Sequence, residues 1–169
     1  LAFPVLSKYF EQLNTGDLVV VTPDVGGIKL ARNYSKKLGI KMAIVDKRRI
    51  GPEETEVGFV IGDVANKNIV MIDDLIATGG SIAQAANVLK ERGAKDIYVG
   101  ATHPVFCGAA LEKLSAAPIK EIVVTDTIPL NEKAKQLSGK IKVLSISGLL
   151  GDAITRIHRH ESVSSLFVQ

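Results

Sequence analysis

Short apolar runs alternate along the chain with segments in which apolar residues recur every three or four positions. Most of the runs lack the polar alternation of a strand with one wet face, which is typical of parallel strands covered on both sides. Six runs rich in β-branched residues predict strands. They are Asp17–Thr22, Met42–Asp46, Asn68–Ile72, Ile97–Thr102, Glu121–Thr125 and Lys142–Ser145.

The segments between the runs predict helices. Residues 28–38 carry an apolar side of helical spacing, and Gly39 follows as the expected end of that helix. Residues 82–92 carry a second such side, which Gly93 closes. Weaker helical patterns occupy Phe3–Leu13, Ala109–Leu114 and Leu149–Ile157.

This alternation of strand and helix predicts an α/β fold, a twisted parallel sheet with helices on both faces. With 169 residues, 46% of them hydrophobic, the chain can bury one core, so a single domain over residues 1–169 is expected. Ligands bind beyond the carboxyl ends of the strands in such sheets. The segment Ile50–Val57, with a glycine, a proline and three glutamates, predicts an exposed, mobile loop.

The charge balance is mildly basic, with a formal net charge of +3. The densest basic cluster, Lys47-Arg48-Arg49, is too short to indicate a nucleic-acid partner, and small anionic substrates explain it equally well. No apolar run reaches the length of a membrane span, and no signal peptide is visible. Cys107 alone cannot form an internal disulfide, so a reducing cytoplasm is the default localisation. The chain begins at Leu1 and not at Met, which indicates part of a longer product.

Residues 69–81 carry the strongest functional signal. Four apolar residues predict a buried strand with Asp73 and Asp74 at its carboxyl end, and a small, hydroxyl-rich turn leads directly into a helix. Backbone N–H groups at a helix N-terminus favour an anion, and glycines let the backbone close around a phosphate. The carboxylates can take ribose hydroxyls, directly or through Mg²⁺. The alternative is an ordinary parallel strand whose acids are merely solvated.

Two further segments suit phosphate chemistry. After the first strand, Gly26 and Gly27 can direct N–H groups at a pyrophosphate, and Asp24 can ligate its Mg²⁺. Taken alone, such a turn more often only connects two elements. Residues 43–49 end a strand in three cations, and cations on a closing loop can stabilise a transferring phosphoryl group. The alternative for this segment is a solvated basic strand end.

These motifs, together with Ala101–Pro104, Val124–Pro129 and Glu161–Phe167, occur in the order found in the ribose-phosphate pyrophosphokinase family, the synthetases of phosphoribosyl pyrophosphate (PRPP). The chain resembles the C-terminal half of that family over essentially all of its residues. The resemblance implies a type I phosphoribosyltransferase-like fold and a homo-oligomeric intact enzyme. It also implies an N-terminal half that contributes ATP contacts, and nothing in this chain corresponds to that half.

The resemblance implies a reaction in which the diphosphoryl group of ATP passes to ribose 5-phosphate and gives PRPP and AMP. Lys47 and Arg49 would be the catalytic cations, with Arg49 also a ligand of ribose 5-phosphate. Asp73 and Asp74 would hold the ribose hydroxyls and Mg²⁺. The 5-phosphate would bind to Ala77, Thr78, Gly79, Gly80 and Ser81.

Two further sites follow from the same resemblance. Asp24, Gly26 and Gly27 would form the pyrophosphate loop, with Asp24 as a third ligand of the metal. Ser162, Val163 and Ser164 would belong to a regulatory phosphate or nucleotide site. Ala77 departs from the family, whose phosphate turn usually begins with Asp, and its backbone N–H can still face a phosphate.

Other functions compete with this enzyme half, which is expected to be inactive alone. The alternative is a sugar-phosphate-binding module or a non-catalytic regulator, and the intact pair of Lys47 and Arg49 argues against a dedicated regulator. A plain phosphoribosyltransferase is disfavoured because no base-binding hood segment is evident. A two-component receiver domain would need more acids after the first strand, where only Asp24 is found. Cys107 has no candidate base nearby and is expected to pack at a helix start.

Overall fold

Seven strands form one sheet in the computed structural model, which describes residues 2–13, 15–48, 57–137 and 139–166. In chain order the strands are β1 (Leu18–Thr22), β2 (Lys41–Arg48), β3 (Val57–Ile61), β4 (Asn68–Ile76), β5 (Ile97–Pro104), β6 (Glu121–Thr125) and β7 (Ile141–Leu144). Across the sheet they lie in the order β3-β2-β1-β4-β5-β6-β7. The reversal beside β1 and β4 puts the ends of those two strands at the switch point, where such sheets bind ligands.

One edge strand departs from the predicted all-parallel sheet. Strand β3 runs antiparallel to β2, with Arg48 opposite Val57 and Ile44 opposite Ile61, while the five other strand pairs are parallel. An antiparallel neighbour needs only a hairpin connection, whereas a parallel one needs a longer crossover. The predicted loop Ile50–Val57 lies outside the described residues except for Val57, which begins β3.

Six helices cover the sheet in the described part of the chain, and two single turns of 3₁₀ helix, Val25–Gly27 and Ser164–Leu166, accompany them. The longest helices have 12 residues, and none in the described ranges is long and apolar enough to cross a bilayer. The helices are α1 (Phe3–Glu11), α2 (Ile28–Leu38), α3 (Gly80–Glu91), α4 (Ala110–Ala116), α5 (Glu132–Gln136) and α6 (Ser147–His158).

Side chains on the two faces of the sheet form two separate cores. In β1, Val19 and Val21 pack into one core with α3 and α4, while Val20 packs into the other with α1 and α2. Strand β4 alternates in the same way, with Met71 in the first core and Ile72 in the second. Successive side chains of a strand point to opposite faces, so unbroken apolar runs are buried on both sides, as the sequence predicts.

Helix α5 was not predicted, because five residues are too few to show helical periodicity. It begins after Asn131, whose side-chain oxygen accepts a hydrogen bond of 2.8 Å from the Ala134 N–H. The end of α2 follows its prediction, since Gly39 takes the left-handed conformation with φ of +65°. Gly39 has open space where a Cβ would stand, so only its backbone conformation favours glycine.

Candidate functional site

The acid pair lies inside strand β4 and not after it. Pairing with β5 continues past the carboxylates, with Leu75 opposite His103 and Ile76 opposite Pro104. Backbone hydrogen bonds do not depend on side-chain polarity, so the strand outlasts the apolar run from which it was predicted. Asp73 is half-buried and Asp74 is exposed, whereas the five preceding residues of the strand are buried. The pair therefore stands at the carboxyl edge of the sheet, as expected.

Residues 77–81, called the phosphate turn below, join β4 to helix α3. Gly79 is the residue before the helix and has a left-handed φ of +68°. Because glycine has no side chain, it supplies no cap to the first N–H groups of α3, which are the donors that helices leave unsatisfied. A cavity of about 330 Å³ lies against this turn and is lined by residues 73–82, which include both carboxylates.

The segment that follows β5 supports the phosphate turn from the side. The N–H of Phe106 donates to the Ile76 carbonyl over 2.9 Å, and the N–H of Cys107 donates to the Ala77 carbonyl over 3.0 Å. The Cys107 side chain is exposed, so the expectation that it packs at a helix start is wrong. This supporting role comes from the backbone, and only the adjacency of β4 and β5 could have revealed it.

Residues 22–28, called the Asp24 turn below, join β1 to α2. One carboxylate oxygen of Asp24 accepts hydrogen bonds from the N–H groups of Gly26 (2.8 Å) and Gly27 (3.2 Å). The Thr22 hydroxyl donates to the Asp24 carbonyl over 2.8 Å. The N–H groups expected to face a pyrophosphate are therefore bound to the turn's own carboxylate, and their role toward a ligand stays a prediction.

The three candidate metal ligands meet in a second cavity. A space of about 480 Å³ is lined by Asp24, both glycines of its turn, and the acid pair of β4. Burial raises the pKa of Asp73 to about 6, and the charges of Asp74 and Asp24 add to this shift. One hydrogen bond opposes it, because the Asp74 N–H donates to a carboxylate oxygen of Asp73 over 2.8 Å. Crowded carboxylates of this kind favour a cation between them.

The carboxylates suit Mg²⁺ as partial ligands. Within the described ranges, no group of three or more His, Cys, Asp or Glu side chains is arranged to hold a metal ion by itself. Mg²⁺ typically takes one or two carboxylates and completes its octahedron with water and substrate phosphate oxygens. The donor set here fits a magnesium ion that binds together with a phosphorylated substrate.

The other predicted site residues lie near the end of β2, after helix α6, or outside the described residues. Lys47 lies in β2 opposite Gly58 of β3, and Arg49 is outside the described residues. Ser162 and Ser164 follow helix α6, with 2.7 Å between their hydroxyl oxygens, and Arg156 donates to the Ser162 carbonyl over 3.1 Å. The structure thus brings the acid pair, the phosphate turn and the Asp24 turn together.

Comparisons with known proteins give the family and the fold of this chain. A family model described as phosphoribosyl synthetase-associated domain matches residues 47–168. The ribose-phosphate pyrophosphokinase of Oceanobacillus iheyensis is 46% identical over 164 residues, which are 97% of this chain and 51% of that protein. The crystal structure of phosphoribosylpyrophosphate synthetase from Mycobacterium smegmatis superposes with a TM-score of 0.82 at 35% identity, over 94% of this chain and 51% of the other.

A more distant structure shares the fold alone. Adenine phosphoribosyltransferase from Trypanosoma brucei has a TM-score of 0.55 at 17% identity, over 78% of this chain and 73% of its own. The predicted phosphoribosyltransferase-like fold is therefore confirmed, with a mixed sheet in place of a purely parallel one. The chain spans about half the length of the curated relatives that it matches. On the match to more than half of its residues, the chain belongs to the phosphoribosyl synthetase-associated domain family.

Proposed function

We propose that this chain is the ribose-5-phosphate-binding half of a ribose-phosphate diphosphokinase, which acts with an N-terminal half in a homo-oligomer. One observation carries the proposal: Asp73 and Asp74 line both cavities at the sheet edge, one beside the phosphate turn and one beside the Asp24 turn. A sugar held at the acid pair can therefore direct its phosphate to one side and its reacting hydroxyl to the other.

The two cavities divide the substrates between them. The 5-phosphate binds at the N-terminus of α3, and the ribose hydroxyls bind to the acid pair. The diphosphoryl group of ATP binds on the side of Asp24, where a Mg²⁺ held by Asp24 and the acid pair would offset the charge of the phosphates. A bond forms between the 1-oxygen of ribose 5-phosphate and the β-phosphorus of ATP. The bond from that phosphorus to the oxygen of the α-phosphate breaks, AMP leaves, and the 1-hydroxyl loses its proton.

Lys47 and Arg49 are proposed as the cations that stabilise the transferring group. Parallel strands end at one edge of the sheet, so β2 leads its last residues toward the same edge as β1 and β4. In the intact enzyme, Lys47→Ala should lower turnover by orders of magnitude and leave ribose 5-phosphate affinity nearly unchanged. Steady-state kinetics and a binding titration measure the two quantities, and near-normal turnover would remove the catalytic role.

Calorimetric titration of this chain with ribose 5-phosphate and Mg²⁺ tests the proposal directly. The wild-type chain should bind saturably, and the variant Asp73→Asn, Asp74→Asn should lose that binding. The matched control is Asp63→Asn, Glu91→Gln, which removes the same charge from two exposed side chains elsewhere. Thermal unfolding shows that each variant is folded. Equal binding by the acid-pair variant would refute the site, and binding without turnover in the enzyme that includes the other half would indicate a non-catalytic module.

A further inference from the structure

Helix α4 packs directly against the phosphate turn. A Cβ on Gly79 would stand 3.0 Å from the Cγ atom of Leu114 and 3.3 Å from the Ala110 carbonyl oxygen. Both of these residues are buried in the core that α4 shares with α3. The helix therefore has a fixed position beside the turn, and its remaining side chains reach the turn from a defined direction.

Lys113 lies on this helix with its ammonium group at the phosphate turn. The Lys113 Nζ atom is 3.9 Å from the point where a Cβ on Gly80 would stand. The side chain is exposed, and no residue within the described ranges forms a hydrogen bond or ion pair with its ammonium. An unpaired cation thus stands beside Gly80, the first residue of α3.

The far end of α4 is held by a different lysine. The ammonium of Lys140, which precedes β7, donates to the carbonyls of Leu114 (2.8 Å), Ser115 (3.0 Å) and Ala117 (3.0 Å). These are carbonyls at a helix C-terminus, which a cation satisfies well. Lys140 therefore has a structural role at the C-terminus of α4. Lys113, which lies on α4 itself, is available to bind a ligand.

The lining of the phosphate turn lacks a positive side chain of its own. Residues 73–82 contain two aspartates and no lysine, arginine or histidine. A sugar phosphate has a second pKa near 6 and carries between one and two negative charges at neutral pH. Backbone N–H groups alone leave much of that charge uncompensated, and a charged donor strengthens the binding of an anion.

We propose that Lys113 is a further phosphate-binding residue, which pairs with the 5-phosphate held by the phosphate turn and selects the phosphorylated sugar over free ribose. The inference deepens the proposed function and rests on it for the identity of the sugar. The role is that of a point charge, because a lysine ammonium on a flexible stem can follow the phosphate without fixing its orientation.

Titrations with ribose 5-phosphate, with ribose and with inorganic phosphate test this role in the full chain. Lys113→Gln should weaken ribose 5-phosphate and phosphate binding about tenfold, the loss typical of one charged hydrogen bond. Lys113→Arg should retain most of the affinity, and affinity for ribose should not change. The control is Lys133→Gln, which removes the same charge from an exposed position on α5.

The salt dependence of binding separates a direct charge contact from a structural effect. Affinity for phosphate should fall with added salt in the wild type and fall less steeply in Lys113→Gln, since one screened interaction is missing. Equal affinity of Lys113→Gln and the wild type would overturn the inference while the proposed function stands. Lysine-dependent binding of inorganic phosphate without any binding of ribose 5-phosphate would support Lys113 and refute the proposed function. A chain that binds neither would refute both.

Discussion

The phosphate turn and the Asp24 turn follow adjacent parallel strands and lead into helices, yet their backbone donors are arranged differently. In the Asp24 turn, one carboxylate accepts both glycine N–H groups. In the phosphate turn, no side chain accepts from the N–H groups at the start of α3, and the residue before that helix is Gly79. A turn that caps itself must break two hydrogen bonds before its N–H groups can bind a ligand. The phosphate turn is therefore organised for an anion beforehand, and the Asp24 turn has to rearrange.

The Asp24 side chain caps the 3₁₀ turn Val25–Gly27, whereas no side chain caps the start of α3. Asp is among the best N-cap residues, and a side-chain cap typically stabilises a helix by about 1 kcal/mol. Helix α3 does without that stabilisation, and so do α1, α2, α4 and α6 among the described helices. A missing side-chain cap therefore does not mark a phosphate site by itself. The phosphate turn differs from the Asp24 turn in the left-handed backbone of Gly79, whereas Gly27 before α2 has a φ of −81°.

Among the substitutions in the two turns, that of Gly79 should have the largest effect on stability and on phosphate binding. Gly79→Ala forces a side chain into a left-handed conformation and presses its Cβ against Leu114, so the free energy of unfolding should fall by about 2–3 kcal/mol. Displacement of the turn should also abolish measurable binding of inorganic phosphate. Thermal or urea unfolding and a phosphate titration give the two readings.

Gly39→Ala is the matched control for that change. Gly39 has nearly the same positive φ, of +65°, but no atoms within 4 Å of an added Cβ. It should lose only about 1 kcal/mol from backbone strain and bind phosphate normally. Equal stability losses in the two variants would show that α4 does not press on the phosphate turn.

Substitution of Asp24 should have a smaller effect and one confined to its own turn. Asp24→Ala removes the cap and should lower the free energy of unfolding by about 1 kcal/mol, whereas Asp24→Asn retains an acceptor oxygen and should lose less. Neither change touches the N-terminus of α3, so both variants should bind inorganic phosphate as the wild type does. Weakened phosphate binding in Asp24→Asn would mean that the two turns are not independent.

The fold was largely predictable because its strands are buried on both faces. Unbroken apolar runs such as Ile69–Ile72 fix strands without ambiguity, and the buried stripe of α3 fixes its helix. Helix α5 was not predicted because five residues are too few to show a helical period. Strand β3 was not predicted because Gly58 interrupts its apolar run and its first residue, Val57, falls in the predicted loop. The extension of β4 through the acid pair was not predicted, because it depends on backbone pairing with β5.

The residues of the candidate site were predictable from the sequence. The contacts that these residues form within the folded chain were less predictable. Glycines and acidic residues after predicted strands indicated both turns, because glycines suit a backbone that closes around a phosphate and carboxylates suit a metal ion or ribose hydroxyls. That Asp24 caps its own turn depends on backbone angles that a Gly-Gly sequence does not fix. The approach of Lys113 to Gly80 depends on the packing of helices more than 30 positions apart, for which a single sequence carries no signal.

A comparably small effect couples the acid pair of β4 to the Asp24 turn through charge. Asp73 has a pKa of about 6 in the folded chain against an ordinary 3.8, raised by burial and by the nearby carboxylates. The folded state then holds this proton more tightly than the unfolded state does. The contribution of Asp73 to stability is therefore most favourable below pH 4 and is lost as the pH rises to about 6. Two pH units correspond to about 3 kcal/mol, and partial exposure reduces the expected cost to about 1 kcal/mol.

Asp73→Asn should therefore stabilise the metal-free chain above pH 6 and have little effect below pH 4. Urea unfolding in the presence of a chelator across this pH range measures the difference in free energy of unfolding between the variant and the wild type. This difference should grow with pH, with a midpoint between the ordinary pKa of the carboxyl and its pKa in the folded chain. Mg²⁺ added together with ribose 5-phosphate should stabilise the wild type at neutral pH more than the variant, because the variant lacks one of the carboxylates that would hold the cation. Asp24→Ala should reduce the same pH dependence, since it removes one of the repelling charges. A pH profile identical in wild type and Asp73→Asn would show that the acid pair is fully solvated, and the cation site between the turns would lose its electrostatic basis.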